Sequence, residues 1–207
     1  MPLIRRETPN STAKSVDRAA LAAALTKGTD DERWAAARSA GESVEGLSIL
    51  KDALSREASP RVREAIFTSL ARIRTPESAQ AVLQYLGSDD ANLRAGALDA
   101  LRAMPAATAP HLPRVLKDGD PDVRLLACEL MRNQAPEDVS RLLGDLLATE
   151  SQANVCAAAV EVLAEVGRPE LLPRLAACAA RFPDDPFLAF AVRVASDRIG
   201  SQASNRD

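Results

Sequence analysis

A five-residue block recurs along this chain, and no other feature constrains the fold as much. It reads Thr29-Asp30-Asp31-Glu32-Arg33, Ser59-Pro60-Arg61-Val62-Arg63, Asp90-Ala91-Asn92-Leu93-Arg94 and Asp120-Pro121-Asp122-Val123-Arg124. Two degenerate copies follow, Gln152-Ala153-Asn154-Val155-Cys156 and Asp185-Pro186-Phe187-Leu188-Ala189. Anchored on the last residue of each copy, the positions are 33, 63, 94, 124, 156 and 189, separated by 30, 31, 30, 32 and 33 residues. A near-constant period of this size, with small drifts, is the mark of stacked supersecondary units whose loops vary in length.

The block opens a helix for local reasons. Asp or Ser at its first position can cap free N–H groups, and Pro directly after it suits the first helical turn. Two residues past each anchor stand Ala35, Ala65, Gly96, Leu126, Ala158 and Ala191, mostly small residues that let a neighbouring helix come close. Seven past come Ala40, Leu70, Leu101, Met131, Leu163 and Ser196, and one before come Val62, Leu93, Val123, Val155 and Leu188. Together these make an apolar stripe at helical spacing that weakens at both ends of the chain, as terminal units require. A second one-sided helix precedes each block: Leu47, Leu50 and Leu54; Ala79, Val82, Leu83 and Leu86; Val139, Leu142, Leu143 and Leu146. Pro76, Pro110, Pro136 and Pro169 punctuate the connections. The expected fold is all-α: a solenoid of about six helical hairpins over 15–200 (15–42, 43–74, 75–104, 107–133, 136–167 and 168–200), with a flexible polar tail at 1–14 and a disordered one at 201–207.

Composition agrees. The 207 residues include 40 alanines and 26 leucines against six aromatics, so β architectures are disfavoured. A net charge of −3 argues against nucleic-acid binding driven by global charge. Three well-separated cysteines, no apolar signal segment and no spanning helix predict a cytoplasmic protein with reduced thiols.

The D-P-x-V-R block at a period near thirty, with alanines behind it, resembles the short bacterial HEAT repeats, and more narrowly those named after the phycobilisome lyases. The resemblance covers nearly the whole chain. It implies a helical-repeat interaction module, since most members of this class bind partners and few are enzymes. The last two copies depart from it, with Cys156 and Ala189 in place of the arginine.

Little in the sequence points to catalysis. The one histidine, His111, cannot supply the several His-Glu pairs of a metal hydroxylase of this repeat type, and reads as an exposed helix-start residue. Cys156 opens a helix, where the dipole could lower a thiol pKa. Cys128 and Cys178 sit among Leu and Ala, as buried inert thiols do. No Cys-x-x-Cys pair and no glycine-rich phosphate loop is present. No metal and no cofactor is expected.

Arg33, Arg63, Arg94 and Arg124, with the cap acids Asp90 and Asp120, are expected to be structural anchors bonding to acids or carbonyls across the inter-repeat ridge. Acids recur beside the other arginines. Asp99 and Arg102, and Glu129 and Arg132, stand three apart and can pair on one helical face. Positions one, five and eight past each anchor form a stripe along the second helices. If these line the concave face, as the resemblance implies, the partner-binding residues are Trp34, Arg38, Glu64, Asp99, Arg102, Glu129, Arg132 and Glu161. The expected function is a non-catalytic protein-binding scaffold, with membranes excluded and nucleic acid and small molecules disfavoured. The alternatives are an accessory subunit of a tetrapyrrole or cofactor lyase and a DNA-binding repair module.

Overall fold

Helix capping sets where each repeat begins, and the capping bonds form at most of the blocks. In the computed structural model, which describes residues 18–204, Thr29 and Glu32 close a capping box, Asp90 accepts from the Asn92 amide at 2.9 Å, and Asp120 from that of Asp122 at 2.9 Å. Pro60, Pro121 and Pro186 take the first helical positions. Glu32, which breaks the apolar stripe, thereby has a role of its own: its carboxylate accepts from the Thr29 amide at 2.7 Å.

Thirteen helices are described: α1 (Arg18–Lys27), α2 (Asp30–Ala40), α3 (Leu47–Leu54), α4 (Pro60–Ile73), α5 (Pro76–Leu83), α6 (Ala91–Arg102), α7 (Pro105–Thr108), α8 (Leu112–Val115), α9 (Pro121–Met131), α10 (Pro136–Thr149), α11 (Ala153–Val166), α12 (Leu172–Ala180) and α13 (Pro186–Ser204). They form six hairpins with no strand among the described residues. The second helices α2, α4, α6, α9, α11 and α13 pack side by side in one layer. In the fourth hairpin the first helix is split into α7, a 3-10 turn at Ala109–His111 and α8, where Pro110 and Pro113 deny two backbone donors to a continuous helix.

The expected tail at 1–14 lies outside the described residues. At the other end α13 runs to Ser204, past residue 200, so the expected C-terminal tail is helical in its first four residues. No proline follows Gly200 to stop the helix, and the Ser201 hydroxyl donates back to the Asp197 carbonyl at 2.8 Å. Residues 205–207 are outside the described range.

The core lies between the two helix layers, and to the expected stripe at one before and seven past the anchor it adds a third position. Three past the anchor is buried in every repeat, at Ala36, Ile66, Ala97, Ala127, Ala159 and Val192; two past, Ala65 and Ala158 are buried, Ala35 is exposed and Gly96, Leu126 and Ala191 are half-buried. Positions one before, three past and seven past are four residues apart, so they form a single i±4 ridge that seats in the neighbouring groove. Two past lies on the flank of that ridge.

The anchor arginines tie successive repeats. Arg33 grips Glu57 bidentately, at 2.8 Å from Nε and 3.1 Å from Nη2. Arg124 repeats this on Glu150 at 2.7 and 2.8 Å. Each glutamate is buried and turns the same Oε1 toward two amides of the following helix start, those of Ala58 and Ser59 or Ser151 and Gln152. Burial pushes both carboxyls up, but the arginine and amide hydrogen bonds outweigh it, so both titrate below the ordinary glutamate range. Arg63 binds Asp90 at 2.8 Å. Arg63, Arg94 and Arg124 also each donate to the carbonyl six residues upstream, of Glu57, Ser88 and Asp118. At the fifth copy Cys156 offers the Glu150 carbonyl only a thiol at 3.9 Å. Arg181, from the following hairpin, fills the vacancy, donating to that carbonyl and to Ala148 O at 2.9 Å each.

Candidate functional site

The exposed face of the second helices follows from the same ridge geometry. With one before, three past and seven past the anchor forming the buried ridge, two before, one past and five past face outward, except that Ala157 is buried. On α6, α9 and α11 the acids five past the anchor join arginines eight past in a chain of ion pairs. Asp99 meets Arg102 at 3.5 Å, Arg102 crosses to Glu129 at 3.5 Å, and Glu129 meets Arg132 at 3.2 Å. Arg132 then reaches Glu161 at 3.6 Å and also Glu165. The structure thus brings five of the expected binding residues, Asp99, Arg102, Glu129, Arg132 and Glu161, into one network spanning three repeats. Glu165 completes it and was outside the expected set because it lies nine past its anchor.

Trp34 and Arg38 stand apart, on α2. The Arg38 guanidinium lies 4.9 Å from the indole centre, and Arg61, one repeat on, caps the ring from 5.2 Å. Arg61 was missed because it lies two before its anchor, outside the stripe read from the sequence. Glu64 is exposed on α4, makes no ion pair among the described residues, and borders a notch of about 360 Å³ between α4 and α6 whose floor includes Phe67, Gly96 and Ala100. Gly96 is small for a reason: a Cβ there would lie 2.8 Å from the Phe67 ring. The position eight past the anchor leaves the surface in three repeats, since Gly41, Ala71 and Ala164 are buried.

The opposite face holds the roomier hollows. Where the proline-split helix of the fourth hairpin falls short, a groove of about 980 Å³ opens among α3, α5 and α8, lined by Ser48, Lys51, Gln80, Gln84 and Arg114. A second, of about 630 Å³, lies between α8 and α10 over Leu116, Leu142 and Leu146. Nothing in the periodic pattern marks them, because they come from a short helix and not from a repeated residue.

The candidate reactive groups are placed structurally. His111 is half-buried, and its Nε2 lies 2.9 Å from the Pro76 carbonyl, tying the split helix to α5. All three cysteines are free and buried. At Cys156 a hydrogen bond shared with Cys178, then burial, raises the thiol above the ordinary range, the opposite of what the helix dipole alone would do. Burial pushes Cys128 up to about 12. Among the described residues no group of three His, Cys, Asp or Glu converges to hold a metal, and no helix is long and apolar enough to cross a membrane.

The family model of HEAT repeats matches residues 18–102 and 108–195; the gap between them coincides with the start of the split helix. No curated protein matches the chain by sequence. Among solved structures, it is similar to a designed armadillo repeat protein at 16% identity and a TM-score of 0.43, covering 88% of this chain and 100% of that one. It is similar to human deoxyhypusine hydroxylase at 19% and 0.42, over 88% and 84%, and to the CpcE–CpcF complex of a Nostoc phycocyanin lyase at 17% and 0.40, over 96% and 100%. With two matched segments spanning most of its length, this chain belongs to the HEAT-repeat family.

Proposed function

We propose that this protein is a non-catalytic scaffold that docks a partner protein on the face of its second helices. The observation that carries this reading is the ion network from Asp99 to Glu165, fixed on three adjacent helices, together with the Arg38–Trp34–Arg61 stack on the same layer. A rigid layer that presents preset charges and one tryptophan offers shape and charge complementarity at little ordering cost. Tryptophan and arginine are also the residue types in which binding hot spots concentrate. The paired state of Arg102 and Arg132 favours a protein partner over a nucleic acid, because phosphate binding draws on unpaired cations. Free thiols fit a reducing compartment such as the cytoplasm.

The test is affinity capture from native lysate with wild-type bait and with Trp34→Ala bait. A partner recovered stoichiometrically by the first and depleted about tenfold by the second, roughly 1.4 kcal/mol, is expected. Recovery of no stoichiometric partner, or equal recovery by both baits, would overturn the reading.

A further inference from the structure

The three cysteines are well separated in sequence, yet the fold brings two of them together. Cys156 stands in the first turn of α11 and Cys178 in the last turn of α12, so the pair spans the junction of the fifth and sixth repeats. Both side chains are fully buried. One carbonyl marks the place: that of Glu150 accepts from the Cys156 thiol at 3.9 Å and from Arg181 Nη2 at 2.9 Å. The Arg181 amide in turn donates to the Cys178 carbonyl at 3.1 Å. The two thiols hydrogen-bond each other. Cys128, on α9, takes no part in that bond.

The thiol at position 156 comes at a structural cost. It stands where four other repeats hold the anchor arginine, and Arg181 has to rebuild the lost clasp from the next hairpin. What the exchange adds is a sulfur set against Cys178. From this placement we propose that Cys156 and Cys178 are a redox pair that closes into a disulfide and ties α12 to α11. The proposal goes beyond the docking reading and does not depend on it.

The two thiols are unequal. The bond from Cys156 holds the Cys178 thiol below the ordinary range against the effect of burial, and the Arg181 guanidinium acts in the same direction. Cys178 is therefore the attacking thiolate, and hydrogen peroxide is an oxidant of matching chemistry. The thiolate attacks one peroxide oxygen, the O–O bond breaks, and hydroxide leaves and recovers the proton that Cys178 had given up. The Cys156 sulfur then attacks the resulting sulfenic acid at sulfur. The S–O bond breaks, and the departing hydroxide takes the Cys156 proton. Two thiols and one peroxide become one disulfide and two waters: the sulfurs lose two electrons and the peroxide gains them. Access comes from the end of α12, since the exposed Arg181 and the connection to α13 follow Cys178 directly, and helix ends are what open first. In a reducing compartment such a link is transient and reports an oxidant.

The test is to expose the full chain to a small molar excess of hydrogen peroxide and to follow mass, free thiols and melting. The expected product has lost two hydrogens and keeps one of its three thiols, that of Cys128. After trypsin, peptides 142–174 and 175–181, which carry Cys156 and Cys178, should be recovered joined and should separate with dithiothreitol. The melting temperature should rise by about 5 °C in the oxidised form. Cys178→Ala should lose both the link and the shift, and Cys128→Ala should keep them; the wild-type readouts stand whether or not the variants fold. Three free thiols after treatment, oxidation that stops at a sulfur acid on one cysteine, a disulfide through Cys128 or between two chains, or a link that leaves melting unchanged would each overturn the inference.

Discussion

At the scale of single residues, the repeats are joined by a small set of charged clasps whose chemistry makes them sensitive to acid. Glu57 and Glu150 are held below the ordinary carboxyl range by arginine and amide hydrogen bonds that outweigh their burial. Each therefore contributes stability that is fully present above the unfolded-state pKa of about 4.3 and is lost as pH falls through the lower folded value. Thermal stability should be flat above about pH 6 and decline through pH 4, with a shallower decline in Glu150→Gln. Differential scanning calorimetry across that range checks both. Arg181 supplies what Cys156 cannot, so Arg181→Ala should lower the melting temperature by about 2–4 °C. The anchor arginines and their period are legible in the sequence. Their acceptors are not, because Glu57 and Glu150 follow their arginines by 24 and 26 residues in connections whose length drifts, and Arg181 works backward from the next repeat.

Elements are legible where they repeat and obscure where they deviate. Helix existence follows from the caps, prolines and apolar spacing, whereas the depth of burial depends on where a helix is rotated against its neighbours. That rotation is why three past the anchor is buried in every repeat while two past is buried in only some. The clearest case of a neighbour dictating a residue is Gly96, whose missing Cβ is the space taken by the Phe67 ring. Phe67 is buried and edge-on to Tyr85, with ring centres 5.9 Å apart, so it has little room to withdraw. Gly96→Ala is expected to destabilise by about 1–3 kcal/mol despite raising helix propensity, as a chemical denaturation midpoint would report. The split of the fourth hairpin's first helix traces to Pro110 and Pro113, both visible in the sequence. The 980 Å³ groove it leaves is visible only once the helices on either side are in place.

At the scale of the whole molecule, the two faces of the solenoid differ in kind. The second helices present preset charges along α6, α9 and α11, while the first helices leave the larger hollows around a shortened element. The net charge of −3 and the pairing of Arg102 and Arg132 predict no retardation of a duplex DNA in a gel-shift assay even at about 50 mM salt. The expected binding stripe was drawn from position alone. Geometry brings its central members into one network, leaves Trp34 and Arg38 in a separate stack, and adds Arg61 and Glu165. Hydrogen–deuterium exchange of the protein with its captured partner tests the assignment of the binding face most directly. Slowed exchange is expected at α2, α4, α6, α9 and α11, centred on Trp34 and Arg132, with α3, α5 and α8 unchanged. Protection centred on the groove among α3, α5 and α8, with the second helices unaffected, would contradict it.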